Sequence, residues 1–397
     1  MTTTGRTARG RAARVLLAPD KFKGSLSAGE VAGHLAAGLR RALPDVVVDE
    51  LPVADGGEGT LEAALAAGYA AVDLVATGPL GEPVAARYAR RGTTAVIEMA
   101  AVTGLAMVTP TREAALGATS RGLGEVIAHA LDAGAREIVV GVGGSASTDG
   151  GAGMLAALGA RLTSGAGDLA DGGGHLRELV DVDLSRLHPA LADTEVVLAS
   201  DVDNPLLGEH GAAAVYGPQK GADAATVAEL ELGLATWVDV LATVGVTGAR
   251  GCADAPGAGA AGGVGFACLL LGAERRPGVE EVLALTGFAD RLAGVDLVVT
   301  GEGSLDRQSL HGKTPVGVAA AAAAAGVPTV AVCGRTTLGP DEAAAAGIVA
   351  VHALTDVEPD VARCIAGAGP LLESLAARLA AHLPAPTTSL TTPMETA

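Results

Sequence analysis

Glu302 and Asp306 are two carboxylates set just beyond an apolar run. Leu297 to Val299 read as a buried strand that stops at Thr300-Gly301, which delivers both acids to its carboxyl end. His311-Gly312-Lys313-Thr314-Pro315 follows, and a proline ahead of the alanines running to Ala325 predicts a helix start beside a lysine. Acids at a strand end and a cation at a helix start are the parts from which α/β enzymes build sites for anionic substrates.

Four further segments share this design. In Ala18-Pro-Asp20-Lys21-Phe22-Lys23-Gly24-Ser25 two lysines flank the end of the first strand, where paired ammonium groups favour a phosphate or carboxylate. In Ala54-Asp55-Gly56-Gly57-Glu58-Gly59-Thr60 the glycines leave backbone N–H groups open to a ligand, while Asp55 and Glu58 suit a metal or a substrate hydroxyl. The third, Gly141-Val-Gly143-Gly144-Ser145-Ala146-Ser147-Thr148-Asp149-Gly150-Gly151, matches a dinucleotide fingerprint only formally. Its hydroxyl-rich continuation suits hydrogen bonds to phosphate oxygens and a metal-bound water at Asp149. In Ser200-Asp201-Val-Asp203-Asn204-Pro205-Leu206, Asp201 lies just past a strand, placed to take a hydroxyl proton or bind magnesium. Lys220 in the downstream Tyr216-Gly-Pro-Gln-Lys-Gly221 suits phosphate charge. The ordinary alternatives are solvated lysines and Asp-Gly or Asn-Pro turns.

Other chemistries are excluded by pattern. His311-Gly-Lys-Thr314 ends like a phosphate-binding P-loop, but Arg307 stands where that template needs glycine. There is no H-R-D or D-F-G triplet, no H-E-x-x-H, and no G-x-S-x-G around Ser145.

Alternating strand and helix signals must carry these segments. Arg14 to Pro19 reads as a strand, Ser27-Ala-Gly-Glu30 as a capping box opening a helix to about Leu43, and Val46 to Val53 as the next strand. The alternation resumes with Asp296 to Thr300, Pro315 to Ala325, Val327 to Cys333, Ile348 to Ala353 and a helix from Asp360 to His382. The middle differs: Gly, Pro and alternating residues over Thr77 to Arg91 and a short run over Thr94 to Met99 predict a mixed sheet. Helices over Thr119 to Ala133 and Asp223 to Val244, with strands over Glu137 to Val140 and Glu195 to Ser200, complete it. The expected fold is thus α/β in two domains. Residues 14–76 and 290–383 form a discontinuous Rossmann-like domain with a parallel sheet, and 77–289 form an inserted α/β domain with a mixed sheet. Residues 1–13 and 384–397 are expected to be disordered tails.

The composition of the 397-residue chain bounds its partners. A net charge of −18 repels a nucleic-acid backbone, so nucleic acid is not an expected partner, while a few lysines still allow a local anion site. The uncharged stretches Ala255 to Ala273 and Thr314 to Gly334 are broken by glycines and by Pro315 and Pro328, so neither is expected to span a membrane. Cys252, Cys268, Cys333 and Cys364 form no C-x-x-C pair and read as free thiols. With no secretory pattern in Met1 to Arg14, the expected location is the cytoplasm.

Taken in order, the five strand-end segments, with Pro52-Val53 ahead of Ala54 and Gly217-Pro-Gln-Lys-Gly221 within the fourth, resemble the glycerate kinase type I family from about Val15 to Leu383. The resemblance implies transfer of the ATP γ-phosphoryl group to D-glycerate with magnesium, on a two-domain α/β fold with the site in its cleft, and favours the C2 hydroxyl over C3. By strand-end position and residue type, Asp201 or Asp306 is expected to deprotonate the hydroxyl, with Lys220 as a further catalytic residue. Glu302 and Asp149 place magnesium, and Lys21, Lys23 and Lys220 meet phosphate or the glycerate carboxylate. Ser25, Asp55, Gly56, Gly57, Gly143, Gly144, Ser145, Ser147, Thr148 and Asn204 complete the binding set. The partners implied are glycerate and ATP, and a homodimer is compatible with them. The rival readings are an NAD-type dehydrogenase built on Gly141 to Ala146 and a non-catalytic anion-binding protein.

Overall fold

The computed structural model describes residues 11–310 and 312–383. These divide into two units, one built from the chain up to Val53 and from Gly287 onward, the other from Ala54–Thr286.

In the first unit five strands pair in parallel, in the spatial order Ile348–Ala353, Thr329–Thr336, Leu297–Leu305, Arg14–Pro19, Val47–Glu50. Strand residues alternate between two covers, as a sheet buried on both faces requires. Val15, Leu17, Val299 and Val330 pack with Leu35 and Leu39 of the Ala28–Ala42 helix and Leu372 and Leu375 of the Ala368–Leu379 helix. Ala331, Cys333 and Leu305 pack on the other side with Ala319 of the Thr314–Ala324 helix. The Ser27 capping box forms: Glu30 N–H donates to Ser27 Oγ at 3.3 Å and Ser27 N–H to Glu30 Oε2 at 2.8 Å. The expected helix from Asp360 to His382 is two helices, Val361–Ala366 and Ala368–Leu379, parted at Gly367.

In the second unit six strands run in the order Glu274–Arg276, Glu195–Ala199, Glu137–Gly141, Thr94–Glu98, Pro83–Arg91, Ala70–Thr77. The first four are mutually parallel and the last two antiparallel, so the sheet is mixed as the middle segment suggested. Tyr88, Ile97, Leu123 and Phe266 fill its core with Trp237 of the Ala224–Thr243 helix. A small antiparallel sheet of Gly167–Asp168, Arg161–Ser164 and Leu179–Asp183 was not expected.

Two boundaries differ from the sequence reading. Residues 54–76 belong with the mixed-sheet unit rather than the parallel one, because Ala70–Thr77 pairs along its whole length with Pro83–Arg91. Of the expected N-terminal tail, residues 11–13 are held: Arg11 donates to Gly294 O at 3.0 Å and pairs with Asp296, and Ala13 O accepts Val47 N–H at 2.8 Å. Residues 1–10 and 384–397 lie outside the described residues. The four cysteines are free thiols, three of them buried. Among the described residues no helix is long and apolar enough to cross a membrane.

Candidate active site

In the mixed-sheet unit, three segments meet at the carboxyl ends of the Glu137–Gly141 and Glu195–Ala199 strands, backbone against backbone. A Cβ on Gly141 would lie 2.6 Å from Gly56 O, one on Gly143 2.6 Å from Gly57 Cα, and one on Gly278 2.0 Å from Asp55 O. Gly56 adds a φ of +83°, the left-handed region that side chains avoid. Gly56, Gly57 and Gly143 therefore clear space for one another. Gly144, with φ +73°, stays exposed on its turn.

That close packing places two carboxylates together. Gly278 N–H donates to Asp201 Oδ1 at 2.9 Å, and Gly57 N–H to Asp55 Oδ1 at 3.3 Å. Burial pushes the Asp201 carboxyl up to about 6, with the Asp55 charge adding to the rise and Gly278 N–H and Arg275 opposing it. Replacing Gly278 with Ala drives a methyl group into Asp55 O and withdraws the N–H from Asp201. We expect a loss of about 1–3 kcal/mol, read as a lower urea midpoint in the fluorescence of Trp237, the single tryptophan of the chain and a member of this unit. Asn204 is held by protein partners: its Nδ2 donates to His210 O at 2.8 Å and its Oδ1 accepts Tyr216 O–H at 2.7 Å. Asp203 is exposed and paired with Arg275.

The Val142–Gly151 loop is built around two buried ionisable groups, Lys220 and Asp149. Lys220 ends the short turn Pro218–Lys220 and is 2% exposed, its ammonium donating to Ser147 O and, at 3.1 Å, to Ser145 Oγ. The expected phosphate contact of Lys220 is thus replaced by a grip on the loop itself. Burial pushes the ammonium down to about 7, and the Asp149 charge opposes the fall. Asp149 is wholly buried. It accepts Ser120 N–H and O–H at 2.8 Å each, Gly151 N–H at 3.1 Å and Gly153 N–H at 3.2 Å. Its expected role as a metal ligand fails on that geometry, since four protein donors occupy its oxygens. Burial pushes its carboxyl up, and these donors pull it back. Ser147 Oγ and Thr148 Oγ1 are buried and have no hydrogen-bond partner among the described residues.

In the parallel-sheet unit, the Leu297–Leu305 strand runs past its expected end, because Gly301 lets it lie against Val332 O, 2.0 Å from where a Cβ would sit. Glu302 therefore lies within the strand, 9% exposed. Its Oε1 has no hydrogen-bond partner among the described residues, and its Oε2 is 3.9 Å from Lys313 Nζ. Burial pushes Glu302 up to about 7, Ser309 and Lys313 oppose this, and the Asp20 and Asp306 charges add to it. The sign follows: from the ordinary value of 4.5 the folded carboxyl is raised to about 7, so stability present below 4.5 is lost as the pH rises through 7. Glu302→Gln should remove that slope and be more stable than wild type at pH 8, by about 1–3 kcal/mol. Hydrogen exchange of the Leu297–Leu305 amides across pH 5 to 8 measures it.

Asp20 is a buried centre that the sequence reading quoted without giving it a role. It is 7% exposed, and its oxygens accept Lys21 N–H at 2.6 Å and Thr314 O–H at 2.8 Å. Lys21 is half-buried and Lys23 exposed, both outside the sheet core. Ser25 donates to Ile365 O at 2.8 Å and so ties the lysine loop to a helix rather than meeting substrate. Asp306 Oδ1 accepts Gln308 N–H at 2.8 Å in a turn, and Lys313 caps the Thr314–Ala324 helix. His311 lies outside the described residues.

Two residues that sequence reasoning passed over hold the site together. Glu98, at the end of its strand, accepts Gly59 and Leu61 N–H at 3.0 Å each and fixes the turn after Asp55. Ser120 holds Asp149 and also accepts Met154 N–H at 2.9 Å. Strand-end position was a usable signal for Glu98; none marked Ser120.

Comparison with known proteins places this geometry in context. A family model described as "Glycerate kinase family" matches residues 15–384. The chain is 45% identical, over 82% of its length and 86% of the relative's, to the glycerate 2-kinase of Escherichia coli (strain K12). It is 44% identical, over 81% and 85%, to the glycerate kinase of Bacillus subtilis (strain 168). Among solved structures, one assigned to a glycerate kinase 2 from Salmonella typhimurium LT2 superposes with a TM-score of 0.79 at 41% identity, covering 93% of this chain and 98% of that one.

Proposed function

We propose that this chain, which belongs to the glycerate kinase family, transfers the γ-phosphoryl group of ATP to the C2 hydroxyl of D-glycerate, giving 2-phosphoglycerate and ADP. The observation that carries this reading is the likeness, over most of both chains, to a glycerate 2-kinase. The dehydrogenase reading loses its support in the fold: after Gly141 the chain runs to Ala152 before a helix begins, so no helix N-terminus sits at the glycine fingerprint.

Asp201 is the residue we assign as base. The hydroxyl oxygen forms its bond to the γ-phosphorus as the bond to the bridging oxygen of ADP breaks, and the hydroxyl proton goes to Asp201. Its support is a carboxylate at a strand end, fixed through one oxygen by Gly278 N–H and titrating near 6, hence ionised at neutral pH. Asp306, the other candidate, is half committed to its turn. We assign Lys21 and Lys23 to an anionic group, phosphate or carboxylate.

Magnesium enters the reading with ATP. Among the described residues no cluster of three or more His, Cys, Asp or Glu forms a protein cage, which suits an ion held by one or two carboxylates and the nucleotide's own phosphates. Asp55, whose charge reaches Asp201, is the carboxylate that fits it in its unit; Glu302, with Oε1 unpartnered among the described residues, is the one that fits in the other. When bound, the ion neutralises charge on the transferring phosphoryl group. The free thiols support a cytoplasmic location. The open edge strand Ala70–Thr77, with Val75 72% exposed, supports a homodimer, which light scattering tests.

The experiment is to mix protein, D-glycerate, ATP and magnesium, follow ADP, and read the product by phosphorus NMR. Glycerate-dependent ADP with a phosphorus signal coupled to the C2 proton is the expected result. ADP formation indifferent to glycerate overturns the kinase reading, and a C3 ester overturns the regiochemistry.

A further inference from the structure

A cavity lies in the mixed-sheet unit, outside the residues assigned to phosphoryl transfer. Its volume is about 300 Å³, and its lining brings together Arg121, Arg161 and Arg186 with Asp168, Asp171 and Gly153. It is formed where the Ala152–Ala157 helix meets the small antiparallel sheet.

The three guanidinium groups are in different states. Arg121 is locked in a two-point pair with Asp171, Nε to Oδ2 at 2.5 Å and Nη2 to Oδ1 at 2.9 Å, with a third of each side chain still accessible. Arg161 pairs with Asp168 through a single hydrogen bond of 3.2 Å, both side chains largely exposed, a pair that contributes little in water. Arg186 forms no ion pair or side-chain hydrogen bond among the described residues, and the acid whose charge it influences, Asp183, accepts Ser185 N–H at 2.8 Å. Three guanidinium groups meet two carboxylates in this lining, so Arg186 is the cation it leaves without an acid of its own, in a chain of net charge −18. A local cationic concavity on an acidic protein selects small anions, because arginine donors match carboxylate and phosphate oxygens in geometry as well as charge. Its size suits a compact ligand of a few carbons.

We infer that this cavity binds a small organic anion carrying two or more phosphate or carboxylate charges, with Arg161 and Arg186 as its adaptable donors and Arg121 as a preset one. The site adjoins the loop that carries the buried acid: Gly153 both lines the cavity and donates to Asp149, and Arg121 follows the Ser120 that holds the same carboxylate.

Calorimetric titration of the full chain with inorganic phosphate, 3-phosphoglycerate and citrate tests it, each against wild type and the Arg161→Ala/Arg186→Ala variant. At least one probe should bind wild type, more weakly as salt is raised. The double variant should bind it roughly a hundredfold less tightly, about tenfold for each charge-assisted hydrogen bond removed. Neither arginine belongs to the proposed reaction, so glycerate-dependent ADP formation without probe should be unchanged, which keeps this test separate from that of the kinase. Binding by inorganic phosphate and 3-phosphoglycerate but not citrate identifies a phosphate site, and the reverse a carboxylate site. Absence of binding by all three probes, or equal affinity in the double variant, overturns the inference.

Discussion

Asp201→Asn is expected to lower kcat for glycerate-dependent ADP formation by about 10³-fold, in the middle of the range for a positioned base. The substitution preserves shape. Asn Oδ1 can still accept Gly278 N–H, which wild type donates to Asp201 at 2.9 Å, so the loop and its glycine packing should persist. What disappears is the acceptor of the hydroxyl proton. Because burial and the Asp55 charge push Asp201 up to about 6, wild-type kcat/KM should fall on the acid side with a midpoint near 6, and the variant should lack that limb. Asp306→Asn serves as the contrast: its carboxylate shapes a turn through Gln308 N–H, so about tenfold or less is expected. Steady-state kinetics from pH 5 to 9 separates the two. Near-normal turnover by Asp201→Asn would remove it as the base and return Asp306 to that position.

The contrast between these acids also marks where sequence reading succeeds. Runs such as Val15 to Leu17 and Leu297 to Val299 are legible because a strand covered on both faces must be apolar throughout, and Ser27 with Glu30 is legible because a capping box joins near neighbours in the chain. The Gly167–Asp168 pairing is not, since two exposed residues carry no period. At the site, the types of residue were readable and their directions were not. Glycines that clear backbone for backbone, as Gly141, Gly143 and Gly278 do, have the same spelling as glycines that clear space for a phosphate. Ser25, Asn204 and Asp149 follow strands as substrate-binding residues do, yet each is satisfied by protein partners, Ser25 by one 340 positions away. Spacing cannot report which side of a loop a side chain takes. Glu302 shows the converse: its charge was evident, while its burial depended on Gly301 extending the strand.

The Asp149–Lys220 pair should give the largest stability effects in the molecule. Both groups are buried, and the Asp149 charge acts on the Lys220 ammonium. Truncating either one strands its own partners: Asp149→Ala orphans four donors, and Lys220→Met leaves Ser147 O without its ammonium. Each single change is expected to cost about 2–4 kcal/mol, the cost of stranding buried hydrogen-bonding groups. The double variant should cost less than the two added together, by about 1–3 kcal/mol, because the Asp149 charge that acts on Lys220 is removed with it. Trp237 is placed to report this, since its Nε1–H donates to Gly150 O at 3.1 Å within the same loop. The pH dependence gives an independent sign. Burial lowers the Lys220 ammonium from 10.5 to about 7, so between those values the unfolded chain holds a proton that the folded chain has released. Stability of the Trp237 transition in urea should therefore rise with pH above 7, by about 1 kcal/mol per pH unit. Lys220→Met should flatten that rise. A rise that survives in Lys220→Met would show that Lys220 is not the group that titrates, and strictly additive single costs would show that the Asp149 charge does not act on Lys220.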